Sequence, residues 1–393
     1  MSKLDENTTV IPQRRRIVGV PPGAHRIQRI DITHHSLPLD PPFPAAWDSR
    51  PRTRFVVSVV RVTTADGAVG IGSGSPMEGI GDYLDLLIGQ DPLDLHHLSA
   101  VLANIDFHGC RPWPLEVALW DLAGKIRGQP VWRMLGGESG RVRCYASTGV
   151  LRDGKALAKV ARTFAQQGFP AIKIRFHRAD WRDDVRAVEA VRVAVGDKVE
   201  LLVDCNQGWR MPWDTTPSWT YHQALAVARE LKPLGVYWME EPLHRGDVRG
   251  MAALRGAVGM RIAAGEMTRE EHALVDLIDR RAVDVLQPDA TLTCGISALA
   301  RVAAKASAAG VMFTPHSWGN GIGLLANAHL YAGCGGGPWL EYPGDPPEWT
   351  AERRDYMLKK PLALDREASL TLPDAPGFGI ELDEDRLAAL QTA

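Results

Sequence analysis

VELLVDCNQGW at residues 199–209, VYWMEEP at 236–242 and RIAAGEM at 261–267 are the stretches on which the reading of this chain turns. Each begins as a short apolar strand candidate and stops on an acid, Asp204, Glu240 or Glu266. Working outward, similar runs occur in RCYAS (143–147), AIKIR (171–175), VDVLQ (283–287), GVMFT (310–314) and PWLEY (338–342), which makes eight strands. Amphipathic helical stretches lie between them, among them 155–168, 181–196, 221–235, 247–259 and 297–310, several closed by the glycine that suits the position just past a helix. A repeat of roughly 22 to 35 residues is what a strand–helix unit needs to bring the chain back parallel to its neighbour. Eight such units close a (β/α)7-8 barrel of the TIM type, so the expected fold class is α/β.

The chain opens differently. Residues 27–78 are strand-like, with Ala65-Asp66-Gly67 as a hairpin turn between two valine-rich runs. Helical periodicity follows to Gly136, where Val117, Leu119, Trp120, Leu122 and Ala123 can line one buried stripe. Strands first and helices second describe an α+β unit. The expected division is a flexible tail over 1–24, an α+β capping domain over 25–139, the barrel over 140–358, and a segment over 359–393 that returns to the cap.

Bulk composition narrows the function. Residues number 393, 45% hydrophobic and 23% charged, as in a globular protein with a sizeable core. Lys plus Arg is 45 against 47 acids, so no charge excess points to nucleic acid or a membrane surface. Arg14 to Arg16 in the N-terminal stretch read as a solvated basic run. Cys110, Cys144, Cys205, Cys294 and Cys334 are odd in number and never spaced C-x-x-C, which suggests reduced thiols rather than disulfides or zinc ligands. With no signal-like or membrane-spanning run, the expected location is the cytoplasm.

In a barrel of this kind the active site lies at the C-terminal ends of the strands. There the chain places Lys173 and Arg175, Asp204, Glu240-Glu241, Glu266, Asp289, His316 and Glu341. A single strand-end acid can be a helix cap. Acids on three consecutive strands are another matter, because neighbouring strands are about 4.8 Å apart and three bare carboxylates would repel without a shared cation. An all-oxygen set suits Mg²⁺, and with no cysteine or histidine among these acids zinc is disfavoured.

These positions resemble the enolase superfamily, in particular its mandelate racemase branch. Asp204, Asn206 and Trp209 match a D-x-N-x-x-W motif, Glu240 the first acid of an E-E-P turn, and Glu266 an acid ending strand five. The resemblance implies one Mg²⁺ on Asp204, Glu240 and Glu266, an Asp289–His316 dyad, and Glu341 hydrogen-bonded to a substrate carboxylate. It also implies a homo-oligomer, from dimer to octamer, acting on a small carboxylate. Enolase-type sites use a Lys or His base with one or two Mg²⁺ ions stabilising an enediolate. His316 is the expected base, Asp289 its orienting partner, and Lys173 and a protonated Glu341 are expected to steady the substrate's oxygens.

Arg175 departs from the pattern. Many relatives carry K-x-K on strand two, whose second lysine is a base facing the histidine, whereas this chain reads Lys173-Ile174-Arg175. Arginine stays protonated and is a poor base. Racemisation needs bases on both faces, while dehydration can use His316 alone, so the expected reaction is dehydration of an acid sugar to a 2-keto-3-deoxy acid. A racemase, epimerase or cycloisomerase on the same scaffold is the alternative. A metal-dependent hydrolase is disfavoured because strand one reads CYAST without an H-x-H pair, and a binding protein because base and ligands are all present. Asn206, His177 and Trp318 are candidates for touching substrate. His177 would share a face with Lys173 and Arg175 if the strand ran on. Specificity is sought in the cap, at His34, His35, Ser73 to Glu78 and His108 to Arg111, with Trp209 and Trp213 as possible pocket walls.

Overall fold

A computed structural model describes residues 25–392. The expected tail at 1–24, with Arg14 to Arg16, lies outside the described residues.

Strands β1 (Ile27–Phe43), β2 (Arg52–Thr64) and β3 (Val69–Gly74) form an antiparallel sheet in the order β1-β2-β3. Helices α1 (Leu95–Phe107), α2 (Trp113–Arg127) and α3 (Val131–Met134) follow. α2 is buried on every side from Trp113 to Gly124, not along one stripe, because it lies between the sheet and the barrel. Gly70 and Gly72 admit it to the sheet: a Cβ at Gly72 would stand 2.1 Å from the Pro114 carbonyl oxygen. On its other side Trp120 Nε1 donates to Ser297 Oγ at 3.0 Å, and buried Glu116 accepts the backbone N–H of Ile296.

The barrel strands are β4 (Arg141–Ser147), β5 (Ala171–Arg175), β6 (Glu200–Asp204), β7 (Val236–Glu240), β8 (Arg261–Ala264), β9 (Val285–Leu286), β10 (Met312–Phe313) and β11 (Leu340–Pro343). All pair in parallel in the order β10-β9-β8-β7-β6-β5-β4-β11. Between β10 and β11 the ring is joined by Thr314 Oγ1 donating to the Trp339 carbonyl at 2.5 Å. Helices α4 (Gly154–Gln166), α5 (Trp181–Val195), α6 (Tyr221–Leu231), α7 (Val248–Val258), α8 (Glu271–Asp279), α9 (Gly295–Ala308) and α10 (Gly321–Cys334) each follow a strand, and a single turn, α11 (Ala351–Arg354), follows β11. The barrel is therefore (β/α)₇β with a vestigial eighth helix.

Along each barrel strand, side chains alternate between the ring's interior and the helices. Outward residues such as Ile172, Ile174, Val203, Met239 and Ile262 join the main core. Inward ones sort by height. Tyr145, Ala171, Leu202, Trp238, Ala263, Val285 and Trp339 make a separate apolar plug, and the next inward residue on several strands is ionic. The site thus rests on a packed floor that keeps water from reaching it from below.

The C-terminal segment contributes β12 (Ser369–Thr371), antiparallel to β4, and α12 (Glu384–Leu390). His35 Nδ1 lies 2.9 Å from the Leu387 carbonyl, and the Thr392 N–H donates to His34 O at 2.9 Å.

Candidate active site

Register brings the polar residues together. In the ladders Arg175 is paired with Asp204, and Asp204 with Glu240. Glu266 follows Gly265, whose φ of 133° turns the chain inward. Ligand oxygens of Asp204, Glu240 and Glu266 all lie within 4.8 Å of one another, and all three residues are buried.

Three features show that this cluster fits a divalent cation. Burial pushes the Asp204 and Glu240 carboxyls above the usual range even though Arg175 and Lys173 adjoin them. The buried Oε2 of Glu266 has no hydrogen-bond partner among the described residues, although the His316 ring nitrogen is 3.3 Å away. The other donors are occupied in ways that aim these acids: Trp209 Nε1 donates to Glu266 Oε1 at 2.6 Å, and the Asn206 N–H to Asp204 Oδ1 at 2.8 Å. Glu240 Oε2 accepts from Gln287 Nε2 at 3.0 Å and Trp238 Nε1 at 3.2 Å. Such outer partners fix the orientation of ligands before a metal arrives.

His316 and Asp289 meet as a dyad, Nδ1 to Oδ2 at 3.0 Å. Asp289 Oδ1 accepts from the N–H and Oγ1 of Thr291, both at 2.8 Å, and from Asn327 Nδ2 at 3.0 Å, leaving Oδ2 for the imidazole. Burial disfavours the imidazolium, but Glu266, Glu341 and Asp289 outweigh it and hold the His316 pKa up at about 9.

Lys173, Arg175 and Glu341 form one buried ionic group. Lys173 is fully buried and bridges Glu240 Oε1 at 2.6 Å and Glu341 Oε1 at 2.8 Å, below the cavity rather than on its wall. Arg175 reaches the wall instead. Its Nη1 pairs with Asp204, its Nε donates to Thr148 O at 2.8 Å, its Nη2 to Ser147 Oγ at 3.0 Å, and the guanidinium lies 5.0 Å from the Trp47 ring and 5.4 Å from Trp318. Glu341 is not the protonated donor expected from the sequence. Burial would raise its pKa, but Lys173, His316 and Arg175 hold it well below the usual carboxylate range, and its oxygens already accept from Ser147 Oγ at 2.6 Å and the Ser317 N–H at 2.9 Å.

A cavity of about 330 Å³ opens above these groups, lined by Arg175, Asn206, Glu266, Asp289, His316 and Trp318 among others. Asn206 sits at a positive φ of 50° and anchors to Phe176 O through Nδ2 at 2.7 Å. His177 is absent from the cavity. β5 ends at Arg175, so the extended alternation that would have put His177 on the same face stops, and the ring faces a separate depression beside Asp214, 3.7 Å away.

Several wall residues escaped the sequence reading. Phe43, Trp47, Phe55 and Trp349 form an aromatic group with Trp318, which stacks on Phe43 at 5.6 Å. Ser147 joins Arg175, Trp318 and Glu341 through one hydroxyl. The strand-end rule points to Ser147 as it does to the acids, but a lone serine carries no chemical signature. Of the cap candidates, Gly74, Ser75 and Arg111 line the cavity. His35 is instead a buried structural residue, and His34 lies 3.0 Å from Ser58 Oγ. Trp213 donates to Asp48 Oδ1 at 3.0 Å outside the cavity.

Residues 155–386 match the model of the enolase C-terminal domain-like family, and residues 27–136 that of the mandelate racemase/muconate lactonizing enzyme N-terminal domain. The chain belongs to the mandelate racemase/muconate lactonizing enzyme family of the enolase superfamily. Within this family it is similar to D-galactarolactone cycloisomerase of Agrobacterium fabrum, at 30% identity over 89% of this chain and 94% of the relative. It is also similar to L-talarate/galactarate dehydratase of Salmonella typhimurium, at 28% identity over 91% and 89%. The structure of L-talarate dehydratase from a Polaromonas species, complexed with Mg and L-glucarate, superposes with a TM-score of 0.79 at 29% identity, covering 94% of this chain and 98% of that one. The family member described here is accordingly an enzyme. Among its described residues no helix is long and apolar enough to cross a membrane.

Proposed function

We propose that this enzyme dehydrates an acid sugar to a 2-keto-3-deoxy acid, with one Mg²⁺ held by Asp204, Glu240 and Glu266. The observation that carries the reading is the asymmetry of the two faces. A histidine oriented by Asp289 stands three residues past the end of β10, and across the ring, at the end of β5, stands an arginine whose pKa is pushed still higher, against the effect of burial, by Asp204 and Glu341. One face has a base and the other a fixed cation.

His316 acts in its neutral form, which is the minor one while Glu266, Glu341 and Asp289 hold its pKa near 9; a cation held by Glu266 would offset part of that negative charge and favour the neutral ring. With Asp289 accepting the Nδ1 proton, Nε2 is left to take the α-proton of the substrate. Bound Mg²⁺ supplies positive charge against the charge that builds on the substrate carboxylate as that proton leaves. Arg175 and Lys173 add permanent positive charge around Glu341 and the ligands. The imidazolium then returns its proton to the departing β-hydroxyl, so that the C–O bond breaks as water forms and the resulting enol tautomerises to the keto acid. A racemase or epimerase would need a neutral base where Arg175 stands.

Cycloisomerisation is the second reading, favoured by the likeness to D-galactarolactone cycloisomerase and by the aromatic wall of the cavity. Acid sugars and their lactones incubated with the enzyme, Mg²⁺ and ²H₂O decide between them. Dehydration gives a keto acid that has lost one water, and cycloisomerisation an isomer of the substrate, each carrying in addition any deuterium taken up from the solvent. Epimers without either product, or full α-proton exchange by His316→Asn, would overturn both.

A further inference from the structure

Three arginines line the cavity, and two of them are committed. Arg175 is held by Asp204, Thr148 and Ser147, and Arg52 lies 3.4 Å from Asp48. Arg111 has no ion-pair or hydrogen-bond partner for its side chain among the described residues, although it is half-buried. Its charged neighbours leave it uncompensated. Asp106 is already paired with Arg269 at 2.7 Å, and Arg269 and Arg245 are cations like Arg111 itself. A guanidinium half removed from water without an anion carries a desolvation cost that an anionic ligand group would recover.

The α-carboxylate of the substrate is not that anion if it sits beside the ligand cluster, as the proposed function requires. We infer that Arg111 receives a second carboxylate at the far end of the substrate, so that the enzyme takes diacids of the aldaric type in preference to monoacids of the aldonic type. This rests on the proposed reaction and narrows its substrate class. Planar guanidinium and carboxylate can form two parallel hydrogen bonds, which also sets the distance between the ends of a productive substrate. The cap thereby supplies a charge that selects, while the barrel supplies the chemistry.

The test compares a six-carbon aldarate, the matching aldonate and its 6-phosphate by kcat/KM, in wild-type enzyme and in Arg111→Gln and Arg111→Lys. Wild type favours the aldarate, and Arg111→Gln lowers the aldarate-to-aldonate ratio about 10- to 100-fold, chiefly through KM, the worth of one charge-assisted hydrogen bond. Arg111→Lys restores part of that ratio. Equal turnover of aldarate and aldonate by wild type, or an unchanged ratio in Arg111→Gln, overturns the inference. So does preference for the 6-phosphate, which would make the far group a phosphate. Calorimetry with adipate and hexanoate reads the same contact without turnover: the wild type's preference for adipate falls at least tenfold in Arg111→Gln. If no acid sugar reacts but adipate still discriminates, the proposed reaction fails and the anion site stands. If acid sugars react and adipate does not discriminate, the reverse holds.

Discussion

Replacing Arg175 by lysine isolates the feature that makes the site one-sided. At pH 7 an ordinary guanidinium is neutral in only about 3 in 10⁶ molecules, and the pKa of this one, beside Asp204 and Glu341, is held higher still. A lysine of ordinary pKa near 10.4 is neutral in about 4 in 10⁴ molecules, so Arg175→Lys raises the population of a usable base on the β5 face by about 100-fold or more. The exchange has a structural cost. Lysine cannot reproduce the fork that donates to Thr148 O at 2.8 Å and Ser147 Oγ at 3.0 Å, each such bond being worth about 1.5–3 kcal/mol, so the variant unfolds at lower urea. The assay is solvent deuterium incorporation at the α-carbon of both C2 epimers of an accepted acid, with Mg²⁺ present. Wild type labels only the epimer whose proton faces His316, and Arg175→Lys labels both and interconverts them. Comparable labelling of both epimers by wild type, or labelling by the variant still confined to one, would refute the assignment of the two faces.

Trp209→Phe removes the indole N–H that holds Glu266 Oε1 at 2.6 Å and weakens Mg²⁺ binding about 10- to 100-fold by calorimetry, while the folded state persists by circular dichroism. In the metal-free protein an NMR titration of His316 has its midpoint near pH 9, above the ordinary value of about 6.5. A raised pKa stabilises the fold fully below about pH 6.5, and that contribution, on the order of 3 kcal/mol, is lost as pH climbs through about 9; His316→Asn flattens this dependence in denaturant titrations. Gly72→Ala drives a methyl group to within 2.1 Å of Pro114 O, and because that atom is backbone the cap must shift, lowering stability by about 1–3 kcal/mol in chemical denaturation.

Much of the site is readable in one dimension because a barrel converts sequence into geometry by a simple rule. Apolar runs mark strands, and whatever polar residue ends each run arrives at one rim, which is why Asp204, Glu240, Glu266, Asp289, His316 and Glu341 are found from spacing and motif. Helices with one apolar face, such as α4 and α5, are equally legible. α10 is not, since Gly321 to Leu330 are buried all round and leave no periodicity to read.

What a chain cannot state about itself is which of several polar atoms will face a shared space. Lys173 and Arg175 are two residues apart on one strand, yet only packing put the first beneath the cavity between Glu240 and Glu341 and the second on its wall. The sequence does not disclose the charge state of Glu341, because its cationic neighbours, Lys173 and Arg175 on β5 and His316 past the end of β10, are distant in sequence. Phe43, Trp47 and Arg111 belong to a cap whose placement depends on α2 fitting between its own sheet and α9. Strand-end position determined which acids and which histidine share one rim, because backbone pairing alone enforces it. Docking of the cap decided which residues complete the cavity wall, because those contacts depend on surfaces that no local pattern encodes.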